Sequence, residues 1–438
     1  MIRFNTPLIR MFGFIAFLFF MMTLPVYSGD GTIDILPDGK TSFMIFNPGS
    51  YVLVGDVTMQ ADVTCIIIKA NDVTLDLNGH TITGLGSAAS FQLGIAGRHR
   101  NHIRNGRITG FGFNGIELWD EARVEGVSVE GNGHSGVFVK NNSSLVRITS
   151  LHNGRYGIET GTGALVQDCI VEGNNLLGDC GGIYVNDGSL VKGCVCHNNS
   201  TVLPRSGHAF GIHAKNRCTL MENTCTSNTC NSSDMAYNAV GINASDFCLI
   251  ENNTCIDNHV YGSQQWAIGI QAKDSCTISS NNCSRNTAYG PGCDARGISC
   301  MNHCRVEHNL TDNNSTDSNG TGDSGMGIQA GSDCTIRGNK CHQNSGKNFQ
   351  SAGININGTN CRVEENHCTK HSSDMTGYGI LVSGQDSVIV GNVTSNNKTK
   401  GIHFQTTGNY CGENMTNDGI DGTTGNTMGT DDRSNVAF

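Results

Sequence analysis

Aromatic and charged residues that could bind a sugar recur in short segments of the second half of the chain. The aromatic residues are Tyr237, Tyr261, Trp266, Tyr289 and Tyr378, and the pair Asp294 and Arg296 lies in one of the same segments. An aromatic ring packs against the apolar face of a sugar, while carboxylate and guanidinium groups bond its hydroxyls. These seven residues are therefore predicted to bind a ligand, and the expected ligand is an extracellular polysaccharide.

The same segments contain acids and bases from which a catalytic centre could be built. They are Asp234, His259, Asp294, Arg296, Asp323 and Asp374. A lyase needs a group that neutralises a uronate and a base for the sugar's α proton, whereas a hydrolase needs two carboxylates flanking the bond. No spacing selects a pair for either role, so no catalytic residue is assigned. Convergence of three or more of them in one groove would favour an enzyme.

These segments lie between the copies of an internal repeat. A Gly followed by a β-branched residue recurs at thirteen positions spaced 21 to 30 residues apart, at Gly94, Gly115, Gly136, Gly157, Gly182, Gly211, Gly241, Gly269, Gly297, Gly327, Gly353, Gly379 and Gly401. A unit of this length cannot bury its own apolar side, so successive units must stack. From Gly182 onward the added residues fall just before the next Gly, which predicts a wall of inserted loops on one side of the stack.

Within each central repeat, Cys and Asn recur at fixed positions. Seven residues after the Gly comes a Cys, as at Cys218 and Cys248, and an Asn follows five residues later, as at Asn223 and Asn253. The pattern also contains a second Cys row, in which one repeat has Leu310 instead. It contains a second Asn row as well, which His371 interrupts. Alternating apolar positions predict short strands, and the Asn rows predict ladders of side-chain amides at the corners between strands. The Cys rows are expected to point inward as small apolar residues.

Three segments carry a family resemblance. Residues 72–84, with the sequence DVTLDLNGHTITG, resemble the opening coil of secreted bacterial right-handed parallel β-helix proteins of the pectin-lyase-like superfamily, and residues 47–53 and 103–111 are similar to that group. The resemblance implies an all-β, right-handed parallel β-helix solenoid of about 13 coils with an N-terminal cap. The superfamily includes lyases, hydrolases, epimerases and adhesins, so the resemblance implies a fold and no single activity.

The N-terminal residues have the pattern of an export signal. Arg3 and Arg10 precede an apolar run from Met11 to Leu24, which is followed by Val26-Tyr27-Ser28. The predicted organisation is a signal peptide at 1–28, a cap at 29–70, the β-helix at 71–410 and a tail at 411–438. The mature protein is therefore expected to be secreted, at the cell surface or in the periplasm, with no membrane span.

Charge and cysteine content limit the partners and cofactors. The formal net charge is −10, which argues against nucleic acid as a partner. One basic cluster, from Arg98 to Arg107, is interpreted either as a solvated face or as a contact for an anionic sugar. The 20 Cys allow mostly reduced buried thiols or several disulfides between coils. No CxxC pair occurs, so no metal site and no cofactor are predicted.

These observations predict an exported β-helix protein that binds extracellular polysaccharide, or acts as an adhesive protein at the cell surface, without identifiable catalysis. The alternative is a polysaccharide lyase or a glycoside hydrolase of the same superfamily. Its hydrolases typically carry Asn-Thr-Asp, Asp-Asp, Gly-His-Gly and Arg-x-Lys motifs, none of which the coils contain. Asp431-Asp432 lies in the predicted tail.

Overall fold

The structure is a computed structural model that describes residues 26–27, 31–86, 91–174, 180–201, 207–231, 237–317, 323–422, 424–429 and 436–437. Over these residues the chain forms a parallel β-solenoid with strands, turns and no helix. The signal peptide predicted at 1–28 lies outside the described residues apart from Val26–Tyr27, which pairs antiparallel with residues 33–34. Its existence stays a prediction.

One sheet contains a single strand from each coil and is called the face sheet here. Its 16 strands are Phe43–Ile45, Ile66–Ile68, Ile95–Gly97, Ile116–Leu118, Val137–Val139, Tyr156–Thr160, Cys180–Val185, Ala209–Ala214, Ala239–Ala244, Trp266–Ala272, Asp294–Cys300, Ser324–Ala330, Gln350–Ile356, Thr376–Val382, Lys400–Phe404 and Ile420–Asp421. Thirteen of these strands contain or directly follow one of the repeated Gly residues. The prediction of a parallel solenoid of about 13 coils is therefore confirmed.

The other two sides of each coil are formed by short strands before and after one corner. A 25-stranded sheet joins them as Val26–Tyr27, Ile33–Ile35, Gly49–Leu53, Val57–Thr58, Val73–Asp76, Thr81–Thr83, His102–Thr109, Arg123–Glu130, Ser144–Val146, Thr149–Leu151, Leu165–Gln167, Ile170–Glu172, Leu190–Lys192, Val195–His197, Thr219–Met221, Thr224–Thr226, Leu249–Glu251, Thr254–Ile256, Thr277–Ser279, Arg305–Glu307, Thr335–Arg337, Arg362–Glu364, Val388–Val390, Tyr410–Gly412 and Thr427–Met428. Six further strands continue the second side, namely Leu310–Asp312, Lys340–His342, His367–Thr369, Val393–Ser395, Met415–Thr416 and Val436–Ala437. The apolar core lies between these sides and the face sheet.

The inserted segments of the central coils begin with strands of their own. Five of them form a small parallel sheet, called the side sheet here, from Ser200–Thr201, Thr229–Asn231, His259–Tyr261, Thr287–Tyr289 and Ser315–Thr316. The sequence predicted a wall made only of loops, and this prediction missed the side sheet. Each of its strands is two or three residues long, which is too short to show a clear alternation of apolar residues.

The solenoid extends beyond both predicted boundaries. In the segment predicted as a cap, Ile33–Ile35 pairs with Tyr51–Leu53 and Phe43–Ile45 pairs with Ile66–Ile68. In the predicted tail, Tyr410–Cys411 pairs with Thr427–Met428. The predicted cap lacks the repeated Gly-Ile pair, whereas the predicted tail contains one at Gly419-Ile420, where Ile420–Asp421 pairs with residues 402–403. Both segments continue the same sheets in register. The stacked strands therefore continue into the segments predicted as cap and tail.

Each Asn row stacks into a hydrogen-bonded ladder at a corner, as predicted. A residue with positive φ, such as Asn252 at 56°, turns the chain immediately before the ladder residue Asn253. The Asn253 amide donates to Asn281 Oδ1 at 3.0 Å and to Leu220 O at 2.9 Å. Its Oδ1 accepts the backbone N–H of Asn223 at 2.9 Å. The Asn side chains of the ladder therefore form hydrogen bonds with buried backbone groups at the corner, where the chain leaves the sheets.

The Cys row that follows the repeated Gly is inward and buried, as predicted, but it also forms hydrogen bonds. Cys248 N donates to Cys276 Sγ at 3.4 Å, and Cys276 Sγ donates to Ser245 O at 3.0 Å. In an earlier coil Ser143 Oγ occupies the same corner and accepts Ala122 N at 3.1 Å. The thiols of this row thus act as corner groups as well as core residues. All 20 Cys are free and buried.

One residue was assigned to the second Cys row at the wrong position. Contacts with this row also explain why the repeated residue is Gly. In the odd repeat the buried member is Thr311, whereas Leu310 is 38% exposed, so assigning Leu310 to this row was wrong. A Cβ on Gly211 would lie 2.5 Å from Gly241 O and 2.8 Å from Cys225 Cβ. The face strand approaches its neighbours so closely that only Gly fits at this position.

Candidate functional site

A row of polar side chains runs along the outer surface of the face sheet. The register aligns one residue per coil, two positions after each repeated Gly, in the order Asn243, Gln271, Ser299, Gln329 and Asn355. Adjacent strands lie about 4.8 Å apart, so this polar row spans roughly 19 Å along the solenoid axis. This row was not predicted from the sequence, although its constant distance from the repeated Gly is a usable signal.

Trp266, Asp294 and Arg296 meet beside the centre of the polar row. The guanidinium carbon of Arg296 lies 4.3 Å from the centre of the Trp266 ring, and Arg296 Nη2 lies 2.6 Å from Asp294 Oδ2. The structure therefore brings together three of the seven predicted ligand-binding residues. Trp266 also packs against a buried apolar cluster formed by Phe210, Val240 and Ile268, so its ring is only partly exposed.

A cavity of about 280 Å³ opens between these residues and the polar row. It is called the Trp266–Arg296 groove here, and Gln271, Ser299, Gln329 and Asn357 also line it. The amide and hydroxyl groups of this lining are uncharged. Since Arg296 is paired with Asp294, the groove offers hydrogen-bond donors and acceptors with little net charge.

Several polar atoms along the polar row make no hydrogen bond within the described part of the chain. They are Arg296 Nε, Gln329 Oε1 and Asn355 Oδ1, all of which are buried. An unpaired buried polar atom costs about 1–3 kcal/mol, so such atoms are rare and tend to mark a place where a ligand or water binds. The outer surface of the face sheet therefore has hydrogen-bonding capacity that the fold itself does not use.

The other predicted ligand-binding residues lie elsewhere. Tyr261, which is 43% exposed, stacks on Tyr289 on the side sheet, with ring centres 4.8 Å apart and planes at 4°. Tyr237 packs edge-on against His208 at 5.4 Å. Tyr378 is buried and stacks on His403 at 4.8 Å. The seven residues thus lie in four separate places and form no single row.

The candidate acids and bases do not converge. Asp323 is buried and accepts the backbone N–H of Cys293 at 3.1 Å, so it has a structural partner. Asp374 is exposed, and His259 lies near the tyrosine stack of the side sheet, where burial lowers its pKa. Asp234 lies outside the described residues. Only Asp294 and Arg296 of this set meet, so the criterion of three convergent residues is not fulfilled among those described.

The basic cluster near the N-terminus is paired with acids of neighbouring coils. Arg100 Nε lies 2.7 Å from Asp72 Oδ1, and Arg104 Nε lies 2.9 Å from Asp76 Oδ2. Arg107 forms an ion pair with Glu130. Arg side chains that are already paired on the surface fit the interpretation of a solvated face better than that of an anionic-sugar site.

Three buried thiols are the one group among the described residues whose ligand atoms lie close enough to share a metal ion. Cys300, Cys304 and Cys334 place their Sγ atoms within 4.8 Å of one another. Cys300 lies at the end of a strand of the face sheet, and Cys304 and Cys334 belong to the first Cys row. Separately, no helix among the described residues is long and apolar enough to cross a membrane.

Comparison with known proteins agrees with the fold and leaves the activity open. Residues 64–219 match the family model described as a right-handed beta helix region, so this part of the solenoid is a right-handed β-helix. No curated protein sequence gives a significant match.

Solved structures with a detectable likeness are distant. They include the mannuronan C-5 epimerase AlgE6 A-module of Azotobacter vinelandii, with a TM-score of 0.35, 12% identity, and coverage of 85% of this chain and 90% of that chain. The catalytic unit of a GH87 alpha-1,3-glucanase from Streptomyces thermodiastaticus has a TM-score of 0.27, 12% identity, and coverage of 95% and 70%. PfbA, a surface adhesin of Streptococcus pneumoniae, has a TM-score of 0.20, 10% identity, and coverage of 82% and 83%. At these scores, none of the three indicates an activity for this chain.

Proposed function

We propose that this protein is exported and binds an extracellular polysaccharide along the outer surface of its face sheet, centred on the Trp266–Arg296 groove. The polar row and its unpaired buried atoms carry the proposal. A polysaccharide repeats its hydroxyl groups at regular intervals, and the solenoid repeats a polar side chain in every coil. A ligand chain lying along the axis would therefore meet one amide or hydroxyl per strand.

Two features favour a neutral polysaccharide over a polymer of uronates. The only cation facing the groove, among the described lining residues, is Arg296, and Asp294 already neutralises it at 2.6 Å. The chain as a whole carries a formal charge of −10, which repels an anionic polymer over the screening distance of about 10 Å at ordinary salt. Uncharged amides and the edge of an indole ring suit sugar hydroxyls and C–H groups.

Binding without catalysis is the function that the geometry supports best. The described residues that line the groove include no carboxylate, and Asp294, which lies beside the groove residue Arg296, is paired with it. A glycoside hydrolase of the usual kind requires two carboxyl groups facing each other across the bond. The lyase or hydrolase alternative therefore lacks a specific observation in its favour.

The test is a binding screen of the mature chain against soluble neutral polysaccharides, such as glucans, mannans and xylans, and against polygalacturonate and alginate. We expect retention by a neutral polymer in affinity electrophoresis and a change in Trp fluorescence. Trp266→Ala should weaken this binding by about tenfold or more, equivalent to about 1.4 kcal/mol. Because the ring also packs against Phe210, Val240 and Ile268, the variant is compared with the wild type at a temperature at which both are folded.

Tyr261→Ala supplies the matched control, because this ring is exposed on the side sheet and does not line the groove. It should leave binding by the groove unchanged. Equal loss in both variants would contradict the assignment to the groove, as would binding of uronates alone. Release of reducing ends or unsaturated products from any polymer would instead show an enzyme.

A further inference from the structure

One coil of the solenoid carries an additional sulfur atom. The last inward position of the face strand is Ala in the coils on either side, at Ala272 and Ala330, and it is Cys300 between them. The same position is also Ala at Ala214 and Ala244. These four Ala residues lie beside the corner that the first Cys row occupies. The substitution at Cys300 therefore adds a third thiol beside Cys304 and Cys334.

The three thiols form a compact buried group. Their Sγ atoms lie within 4.8 Å of one another, and Cys304 N donates to Cys334 Sγ at 3.4 Å. The thiol of Cys304 donates to Lys273 O at 3.0 Å, and that of Cys334 donates to Met301 O at 3.1 Å. The backbone of adjacent coils thus holds two of the sulfur atoms in place, and the third approaches from the face strand.

We propose that Cys300, Cys304 and Cys334 bind a soft d10 metal cation through three thiolates. Thiolate sulfur is the ligand that soft cations prefer, and the group contains neither an imidazole nor a carboxylate oxygen. Three sulfur ligands suit ions that accept trigonal coordination, such as Cd²⁺, better than ions that require six oxygen ligands. On binding, each thiol that becomes a ligand releases its proton to solvent, and no oxidant or reductant is needed.

Access to the group requires movement of only one corner. Met301 and His303 lie between Cys300 and Cys304 in the chain, and both are exposed, Met301 by 49%. An ion therefore has to pass the short turn at 301–303 and does not have to cross the apolar core. Local opening of such a corner costs less than global unfolding.

The electrostatics of the group predict strong competition between the metal and protons. Hydrogen bonds with neighbouring thiols raise the pKa of Cys300, Cys304 and Cys334 above the usual value of a thiol. Because the ligands must be deprotonated, metal uptake is expected to increase as the pH rises.

The experiment is a titration of the reduced, metal-free full chain with CdCl₂, followed by the ultraviolet charge-transfer absorption of Cd–thiolate bonds and by equilibrium dialysis. The wild-type chain should bind one Cd²⁺ more per chain than the variant Cys300→Ala, and only the wild type should gain melting temperature from that ion. Cys300→Ala restores the residue of the neighbouring coils and is expected to fold. Equal stoichiometry and equal stabilisation in the two proteins would overturn the proposal.

A second variant moves the site by one coil. In the Cys300→Ala background, Ala272→Cys places a thiol beside Cys276 and Cys304, which stand in the same relation as Cys304 and Cys334 do to Cys300. The additional Cd²⁺ and the charge-transfer band should return. If the double variant folds but binds no more Cd²⁺ than Cys300→Ala, three thiols in this arrangement are not sufficient and the proposal is wrong.

Discussion

Asparagine and glutamine side chains occupy two places in the central coils, and the two places differ in how fully they are hydrogen-bonded. At the inward corner, the amide of Asn253 donates to Leu220 O and Asn281 Oδ1, and its oxygen accepts from Asn223. On the outer surface of the face sheet, Gln329 Oε1 and Asn355 Oδ1 are buried and make no bond in the part of the chain that the structure describes. The same chemical group therefore has its hydrogen bonds satisfied in one place and keeps an unpaired acceptor in the other.

The largest expected effect is at the saturated corner. Asn253→Ala removes the partners of two buried amides and of the Leu220 carbonyl, so the free energy of unfolding should fall by about 3 kcal/mol. Chemical denaturation of the two proteins measures this difference. Asn252→Gly is the control, because Asn252 is exposed at the same corner with a φ of 56° that Gly adopts readily. A loss in the control as large as in Asn253→Ala would show that the ladder bonds are not the cause.

The next effect concerns the one histidine in the second Asn ladder. His371 Nδ1 accepts Asn344 N at 3.2 Å, and its Nε2 lies 3.1 Å from Cys341 O, so the neutral imidazole replaces an Asn amide. Burial lowers the pKa of His371 from 6.5 to about 3. Between these values the unfolded chain binds a proton that the folded chain does not, so stability is lost as the pH falls below 6.5.

At about pH 5 the contribution of this group should be lower than at about pH 8 by about 2 kcal/mol. His371→Asn restores the residue type of the neighbouring coils and should abolish this part of the acid sensitivity. Denaturation curves of both proteins at the two pH values give the comparison. An identical pH dependence of the two proteins would rule out His371 as the titrating group.

A smaller effect is expected where sulfur takes the place of oxygen at a corner. Ser189 Oγ accepts Ala164 N at 3.1 Å and donates to Asn186 O at 2.7 Å, at the position that Cys276 holds in a later coil. Cys276→Ser should therefore change the free energy of unfolding by less than about 1 kcal/mol, whereas Cys276→Ala, which cannot donate, should cost about 1 kcal/mol. Urea titrations in reducing buffer test this order, and a Ser variant less stable than the Ala variant would contradict it.

The repeat of Gly and Cys and the Asn rows were sufficient to predict the solenoid, its approximate number of coils and its amide ladders. The side sheet could not be predicted, because strands such as Ser200–Thr201 carry too few residues to show a period. That the seven residues bind a ligand stays a prediction. Trp266, Asp294 and Arg296 converge, but Tyr261 and Tyr289 lie on the side sheet because the chain turns between Tyr261 and Trp266. Residue type alone does not report on which side of such a turn a ring lies.

The central claim, that the unpaired amides of the face sheet bind a neutral polysaccharide, is tested most directly with the double variant Gln329→Ala/Asn355→Ala. Isothermal titration with the neutral polymer identified by the screen should show affinity reduced by about tenfold, while the melting temperature stays within about 2 °C of the wild type or rises, because two unpaired buried atoms are removed. Unchanged affinity, or a loss of stability like that expected for Asn253→Ala, would contradict the claim and would assign these amides to the fold.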